Sequence, residues 1–201
     1  MRSNRVGTLT GVKTPPDDLA RKLTDASEQI LSLDGQLKLD EVGRSVGVAR
    51  ATLYYYFSGR DDLLAFLVTH HLRLGGAAVA AGLAIEGRAE ERLRAGVAAL
   101  VRFLADHPEV CAGLLEAMGS GGRLAEVVGL SDQVIGGPLR EILIEGRATG
   151  RLRFGDPADA ANSVAGGALI AVLARAARGA SLDDGEFAPA LVDQLVGGLL
   201  A

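Results

Sequence analysis

Three tyrosines and a phenylalanine stand side by side at Tyr54-Tyr55-Tyr56-Phe57, and these are the only tyrosines in the 201-residue chain. At about 100° per residue, four successive side chains on a helix point in four directions, so no single face can bury them all. With Leu53 at the origin of a helical wheel, Phe57 lies beside it one turn on, while Tyr55 sits nearly opposite with Ala51 and Thr52 flanking it. Leu53 and Phe57 therefore form the inward face. Ala51, Thr52, Tyr54, Tyr55 and Tyr56 remain as an outward surface of hydroxyls and flat rings, able to donate to phosphate oxygens and to touch base edges.

The residues before this helix specify its setting. Leu39, Val42 and Val46 keep helical spacing, and Gly47-Val48-Ala49 then interrupts it. Gly47 supplies the left-handed backbone that ends the earlier helix, and Val48 fills the angle between the two. Two short helices joined by a three-residue turn make a helix-turn-helix, whose second helix enters the major groove.

From about Arg21 to Leu67 the chain resembles the TetR/AcrR-type transcriptional regulators. The marks are Ala26 to Gly35 closing a first helix, Val42, the Val46-Gly47-Val48 turn, Thr52-Leu53-Tyr54-Tyr55-Tyr56-Phe57, and Arg60-Asp61-Asp62-Leu63-Leu64 opening the next helix. There are departures. The loop after Gly35 is about two residues short, Leu37 and Ala49 stand where Ser or Thr usually caps a helix, Gly43 replaces a usual Ala, and Tyr56 a frequent His. The resemblance implies DNA contacts at Thr52, Tyr54, Tyr55 and Tyr56. Arg50 and Arg60 are the natural phosphate partners, and Arg44 on the preceding helix can approach the backbone. Base preference is expected to rest on Arg50, Ala51, Thr52 and Tyr54, with Ala51 able to meet a thymine methyl.

Charge is distributed in keeping with this. Through Arg60 there are 9 Lys+Arg against 7 Asp+Glu, and beyond it 12 against 18, so the overall −4 divides into +2 and −6. Only the front end welcomes a polyanion. The 48% hydrophobic content is enough for one substantial core plus a small module. Helical periodicity fills the chain, as at Leu19, Leu23, Ala26 and Ile30 or Leu93, Val97, Leu100 and Leu104. The expected fold is all-α, with about nine helices near 17–34, 39–46, 50–56, 60–83, 88–105, 109–118, 123–148, 157–178 and 184–200. A kink is expected in the seventh at Gly136-Gly137-Pro138. The predicted division is an arm over 1–14, a helix-turn-helix domain over 15–59, and an effector-binding and dimerisation domain over 60–201, entered by the connecting helix 60–83. With Arg2, Arg5 and Lys13 the arm reads as a flexible solvated end or, alternatively, as a reach into the minor groove.

The resemblance further implies a homodimer reading a palindromic operator, with the two heads about 34 Å apart. A ligand among the middle helices would move helix 60–83 and respace the heads. For that effector the sequence offers Leu100, Phe103, Leu104, Leu114, Leu115, Met118, Val127, Leu130 and Val134 as lining. Few aromatics and no charge cluster occur among them, which points to a mostly apolar ligand. For the dimer interface, the apolar rows of the last two helices offer Val164, Ala165, Ala168, Leu169, Val172, Leu191, Leu195 and Leu199.

Other chemistry finds no support in the spacing. His70 and His71 are adjacent and cannot clamp one metal; one is expected to pack near Leu67 and Leu74, with effector sensing as the alternative. His107 before Pro108 reads as a cap or turn residue, and Gly119-Ser120-Gly121-Gly122 as a loop, because it lacks the Lys-Ser/Thr of a phosphate loop. No catalytic constellation, metal site or cofactor is expected. The lone Cys111, the lack of a signal-like N-terminus and the lack of a continuous apolar run of 18 residues lead to the expectation of a cytoplasmic protein with no membrane span.

Overall fold

The computed structural model describes residues 13–31, 38–119 and 124–201. The elements in chain order are α1 (Asp17–Asp25), α2 (Ser27–Leu31), α3 (Leu39–Val46), α4 (Arg50–Tyr56), α5 (Arg60–Leu83), α6 (Ala89–Asp106), α7 (Pro108–Gly119), α8 (Leu124–Ser131), a π turn (Asp132–Gly136), α9 (Gly137–Ala148), α10 (Pro157–Ala177) and α11 (Phe187–Gly197). Among the described residues the fold is all-α, with one isolated bridge between Leu152 and Leu200.

Three predicted boundaries change. The first helix breaks at Ala26, whose φ of −96° and ψ of 9° leave the helical region. The Thr24 hydroxyl donates to the Arg21 carbonyl at 3.0 Å, a local bond that competes with the helical ladder just before the break. Residues 32–34, the Leu37 cap position and the Ser120 loop lie outside the described residues. In the long 123–148 helix, the irregularity comes ahead of the predicted kink. A proline ring at 138 would collide with the carbonyl four residues back. The chain widens instead into the π turn, and the Gly137 N–H donates to the Asp132 carbonyl five residues earlier. Lastly, α11 is shorter than 184–200: the Asp184 carboxylate accepts the Glu186 N–H at 3.1 Å in a turn before it. At its end the Arg153 N–H takes the Leu199 carbonyl at 2.8 Å.

A small head and a larger bundle share α5. In the head, Leu23, Ile30, Val42, Leu53 and Phe57 pack together, each at most 4% exposed. In the bundle, α5 lies along α6 and contributes Leu67, Val68 and Val79, against Leu93, Val97 and Leu100 of α6 and Leu139 and Leu143 of α9.

Candidate nucleic-acid interface and effector cavity

The helix-turn-helix forms as its spacing requires. Gly47 ends α3 at φ 65°, ψ 39°, and the Val48 N–H donates back to the Gly43 carbonyl at 2.8 Å. The turn doubles back so closely that a Cβ on residue 43 would lie 2.9 Å from the Val48 carbonyl oxygen. Glycine in place of the usual alanine suits that contact. Leu53 and Phe57 are fully buried, with the Phe57 ring 5.6 Å from that of Phe66 at the start of α5. Ala51 and Thr52 are exposed, as are Tyr54 and, at 60%, Tyr55. Tyr56 is half-buried, edge-on to Tyr55 with centroids 4.9 Å apart.

Neither short helix is capped by a side-chain acceptor at its N-cap residue. Lys38 and Ala49 hold those positions in extended backbone. For α3, the Glu41 carboxylate at least accepts the Lys38 N–H at 2.8 Å; for α4 nothing comparable is seen.

The predicted phosphate partners are engaged within the chain to different degrees. Arg44 is exposed. Arg50 pairs with Asp40 at 2.6 Å while its side chain stays 70% exposed, and its guanidinium lies 5.1 Å from the centre of the Tyr54 ring. An exposed pair of this kind is worth little and can be exchanged for a phosphate. Arg60, expected to meet DNA, is held by both carboxylate oxygens of Glu116 on α7, a pair that ties the head to the bundle. Lys13 Nζ sits 3.7 Å from the centroid of the Tyr55 ring, which sets the residues ahead of α1 against α4.

The bundle encloses a cavity of about 570 Å³, within the ~300–1,000 Å³ of small-molecule sites. Of the predicted lining, Leu100, Phe103, Leu104, Leu114, Met118 and Val127 are on its wall. Leu115 is not, because it faces outward. Leu130 and Val134 are half-buried and pack against the core elsewhere, Val134 against Gly76 of α5. Sequence reasoning missed the polar wall residues His71, Ser131, Asp132 and Asn162, which no periodic apolar pattern reveals. Two residues expected at the dimer interface, Ala165 and Leu169, line the cavity instead.

His71 is the unusual group here. It is 4% exposed, and neither ring nitrogen has a hydrogen-bond partner among the described residues. It lies among His70, Phe103 and His107, with centroids 5.5, 6.4 and 5.5 Å away. Burial, reinforced by the two neighbouring histidines, lowers its pKa from 6.5 to about 4, so the ring is neutral at physiological pH. One histidine of the pair is expected to pack into the bundle, and His71 does so on the helix that also buries Leu67, while Leu74 is partly exposed. His107 does cap α6, as its place before Pro108 suggested.

Helix α7 joins cavity and head. Val110, Leu114 and Met118 line the cavity. On the other side Gly113 accepts Leu31 of α2 so closely that a Cβ would come within 2.9 Å of its Cδ2, and Glu116 holds Arg60.

The last two helices divide between core and surface. Val164, Ala168, Val172 and Leu191 are buried within the protomer, so they are core residues rather than an outward interface. Leu195 and Leu199 are half-buried, and a Cβ on Gly167 would press on Leu195. What α10 leaves outside is Ile170, 51% exposed, beside half-buried Gly166, Gly167 and Leu173. Both α5 and α10 are long and apolar enough to cross a membrane, with mean hydropathy 1.4 in each, although neither is the continuous apolar run sought in the sequence. Burial separates them. The apolar stretch of α5 is 61% buried as the core helix, that of α10 only 28%.

Among the described residues no group of three or more His, Cys, Asp or Glu is placed to hold a metal ion. Cys111 is buried, and desolvation pushes its thiol pKa up to about 12, so it is inert.

Known proteins agree with this geometry. Residues 23–66 match the family described as bacterial regulatory proteins, tetR family, so the helix-turn-helix is of the TetR type. An uncharacterised HTH-type transcriptional regulator of Mycobacterium tuberculosis is 27% identical over 95 residues, 46% of this chain and 47% of that protein; the match spans about half of the curated relative. A TetR-family regulatory protein from Rhodococcus superposes with a TM-score of 0.78 at 18% identity, covering 92% of this chain and all of its own. The regulator FadR from Bacillus subtilis, solved with stearoyl-CoA, does so with a TM-score of 0.74 at 21% identity, covering 89% and 98%.

Proposed function

We propose that this chain, a TetR-type regulator by its head and its fold, is a homodimeric repressor that binds a palindromic operator and releases it on binding a small, mostly apolar effector. The observation that carries the reading is the double engagement of α7, with one side on the cavity wall and the other on Leu31 and Arg60. A ligand that spreads α7 from α5 would move the head, because the cavity contacts and the head contacts belong to one rigid helix. The ligand favours one of two arrangements, and DNA favours the other.

The outward tyrosines and Arg50 are the reading surface, with Lys13 supporting Tyr55 from the arm. Dimerisation uses the uncovered apolar side of α10 together with α11, since a helix of this hydropathy only 28% buried in its own protomer needs a cover. The protein acts in the cytoplasm, where operator DNA is. The apolar cavity and the stearoyl-CoA bound by the Bacillus subtilis neighbour favour an aliphatic chain as the effector's body.

The test is selection of bound duplexes from a random pool by the purified protein, with a salt titration on the winner. A recovered palindrome, released by stearoyl-CoA or another aliphatic ligand, is the expected result. Sequence-independent, salt-labile binding alone would leave a helical ligand-binding protein without an operator.

A further inference from the structure

We infer that the effector carries an uncharged oxygen function, a carbonyl or hydroxyl, on its aliphatic body, and that His71 recognises it by a hydrogen bond. This inference rests on the reading of the cavity as the effector site.

The cavity is otherwise an apolar vessel. Its exposed wall residues, Ala125, Val128, Gly129 and Asn162, mark the mouth. Beside them stand Ser131 and Asp132, half-buried. His71 is elsewhere, on α5 among Phe103 and His107 and closed off from solvent. A buried imidazole with no partner for either nitrogen is unfavourable, and such a group on a cavity wall calls for an explanation by what the cavity holds. A neutral imidazole offers one N–H donor and one bare nitrogen. A carbonyl oxygen can take the N–H; a hydroxyl can serve either nitrogen.

Charge on the ligand at this depth is disfavoured from both sides. Among the described wall residues none is Lys or Arg, and Asp132 is acidic. The guanidinium of Arg140 is bonded to Asp132 at 2.8 Å. The groups facing His71 are His70, on the same helix, and Phe103 and His107, on and just after α6. None of them is a fixed cation, and burial and the neighbouring histidines oppose protonation of His71 itself. A free carboxylate would thus be desolvated without a counter-charge. The site selects esters, thioesters or alcohols over the corresponding acids, because the cavity penalises the carboxylate and His71 adds a hydrogen bond for the neutral oxygen.

The sequence has three histidines, so imidazole 15N signals of full-length protein labelled at histidine can be assigned by elimination with His70→Asn and His107→Asn. The probes are 1-dodecanol, methyl dodecanoate and dodecanoate at pH 7.5, with affinity read by the rise in melting temperature. The alcohol and ester are expected to shift the His71 nitrogens in the wild type and to bind about tenfold more tightly there than to His71→Leu. Dodecanoate should bind less well than its ester and gain least from His71. If alcohol and ester bind wild type and His71→Leu equally and the wild-type nitrogens do not move, the role of His71 is overturned while the aliphatic cavity stands. Should no probe bind either protein, the reading of the cavity as an aliphatic effector site is itself wrong. The wild-type spectra need no variant at position 71, so misfolding of His71→Leu cannot obscure the result.

Discussion

Replacing Ala49 by serine should stabilise the protein, and the amount follows from local geometry. Ala49 stands at the N-cap of α4 with φ −62° and ψ 138°, the extended backbone that capping side chains require. Its carbonyl already accepts the Thr52 N–H at 2.9 Å and the Leu53 N–H at 3.2 Å. A serine Oγ there needs no backbone change to accept an N–H of the first turn, and alanine provides no such acceptor. The exchange of Ala for Ser at an N-cap is worth about 1 kcal/mol, and for a chain of this size that raises the melting temperature by about 2–4 °C. The added residue is uncharged, so operator affinity should rise while the slope of log K against log salt stays fixed. Thermal unfolding, urea titration and filter binding over a salt series measure all three. An unchanged melting temperature and urea midpoint would refute the reasoning, because the first turn of α4 would then have to be satisfied already.

Other expectations follow from the same geometry. Tyr55→Ala should weaken every operator alike, whereas Arg50→Ala should alter which sequences are preferred; selection from a random pool with each variant separates these outcomes. Glu116→Gln should cost under about 1 kcal/mol of stability, given a pair that is partly exposed and screened, yet raise the effector concentration needed to release DNA. An unchanged release curve would remove α7 as the link. Ile170→Asp, at a half-exposed site, should change protomer stability by about 0.5 kcal/mol or less but shift sedimentation from dimer to monomer. His71 is neutral in the fold down to about pH 4, whereas in the unfolded chain it takes a proton near its ordinary 6.5. The unfolded state therefore binds more protons between those values, and stability falls as pH falls from 6.5 to 4. The full difference approaches ~3 kcal/mol. Urea titrations across that range should show the loss in wild type, and a smaller one in His71→Leu.

The head was largely legible in the sequence because its constraints are local. A wheel suffices to put Leu53 and Phe57 inside and Tyr54 and Tyr55 outside, and one glycine fixes the turn. Arg60 shows where local reading stops. Its partner Glu116 is 56 residues away, and no spacing rule points from one to the other. The cavity was half legible for a related reason: Leu100, Leu104 and Leu114 announce an apolar face, but core and cavity wall carry the same signature. Leu130 and Val134, expected as lining, lie half-buried against the core, and Ala165 and Leu169, expected at a dimer surface, line the hole. In α10 apolar residues occur all round, so periodicity could not say which side meets α6, α7, α9 or α11. For His71 the spacing excludes a metal clamp and leaves packing or effector sensing open, because adjacency in sequence says nothing of what lies across the cavity.

The π turn at Asp132–Gly136 works as a phase corrector. Val127, Ser131, Ile135 and Leu139 all point inward, on the cavity wall or into the core, although residues spaced by four drift about 40° per step around an ordinary helix. A wide turn with one extra residue takes up that drift, so that α8 and α9 keep their inner faces in line. The stretch therefore has unequal tolerance to length. Deleting one residue between 132 and 136 would convert the turn to regular helix and leave both flanking faces in place. The same deletion within α8 or α9 would rotate one part of the helix relative to the rest by about 100°, turning apolar side chains to solvent. A one-residue gap in a natural or engineered variant of this protein should thus be sought inside those five positions.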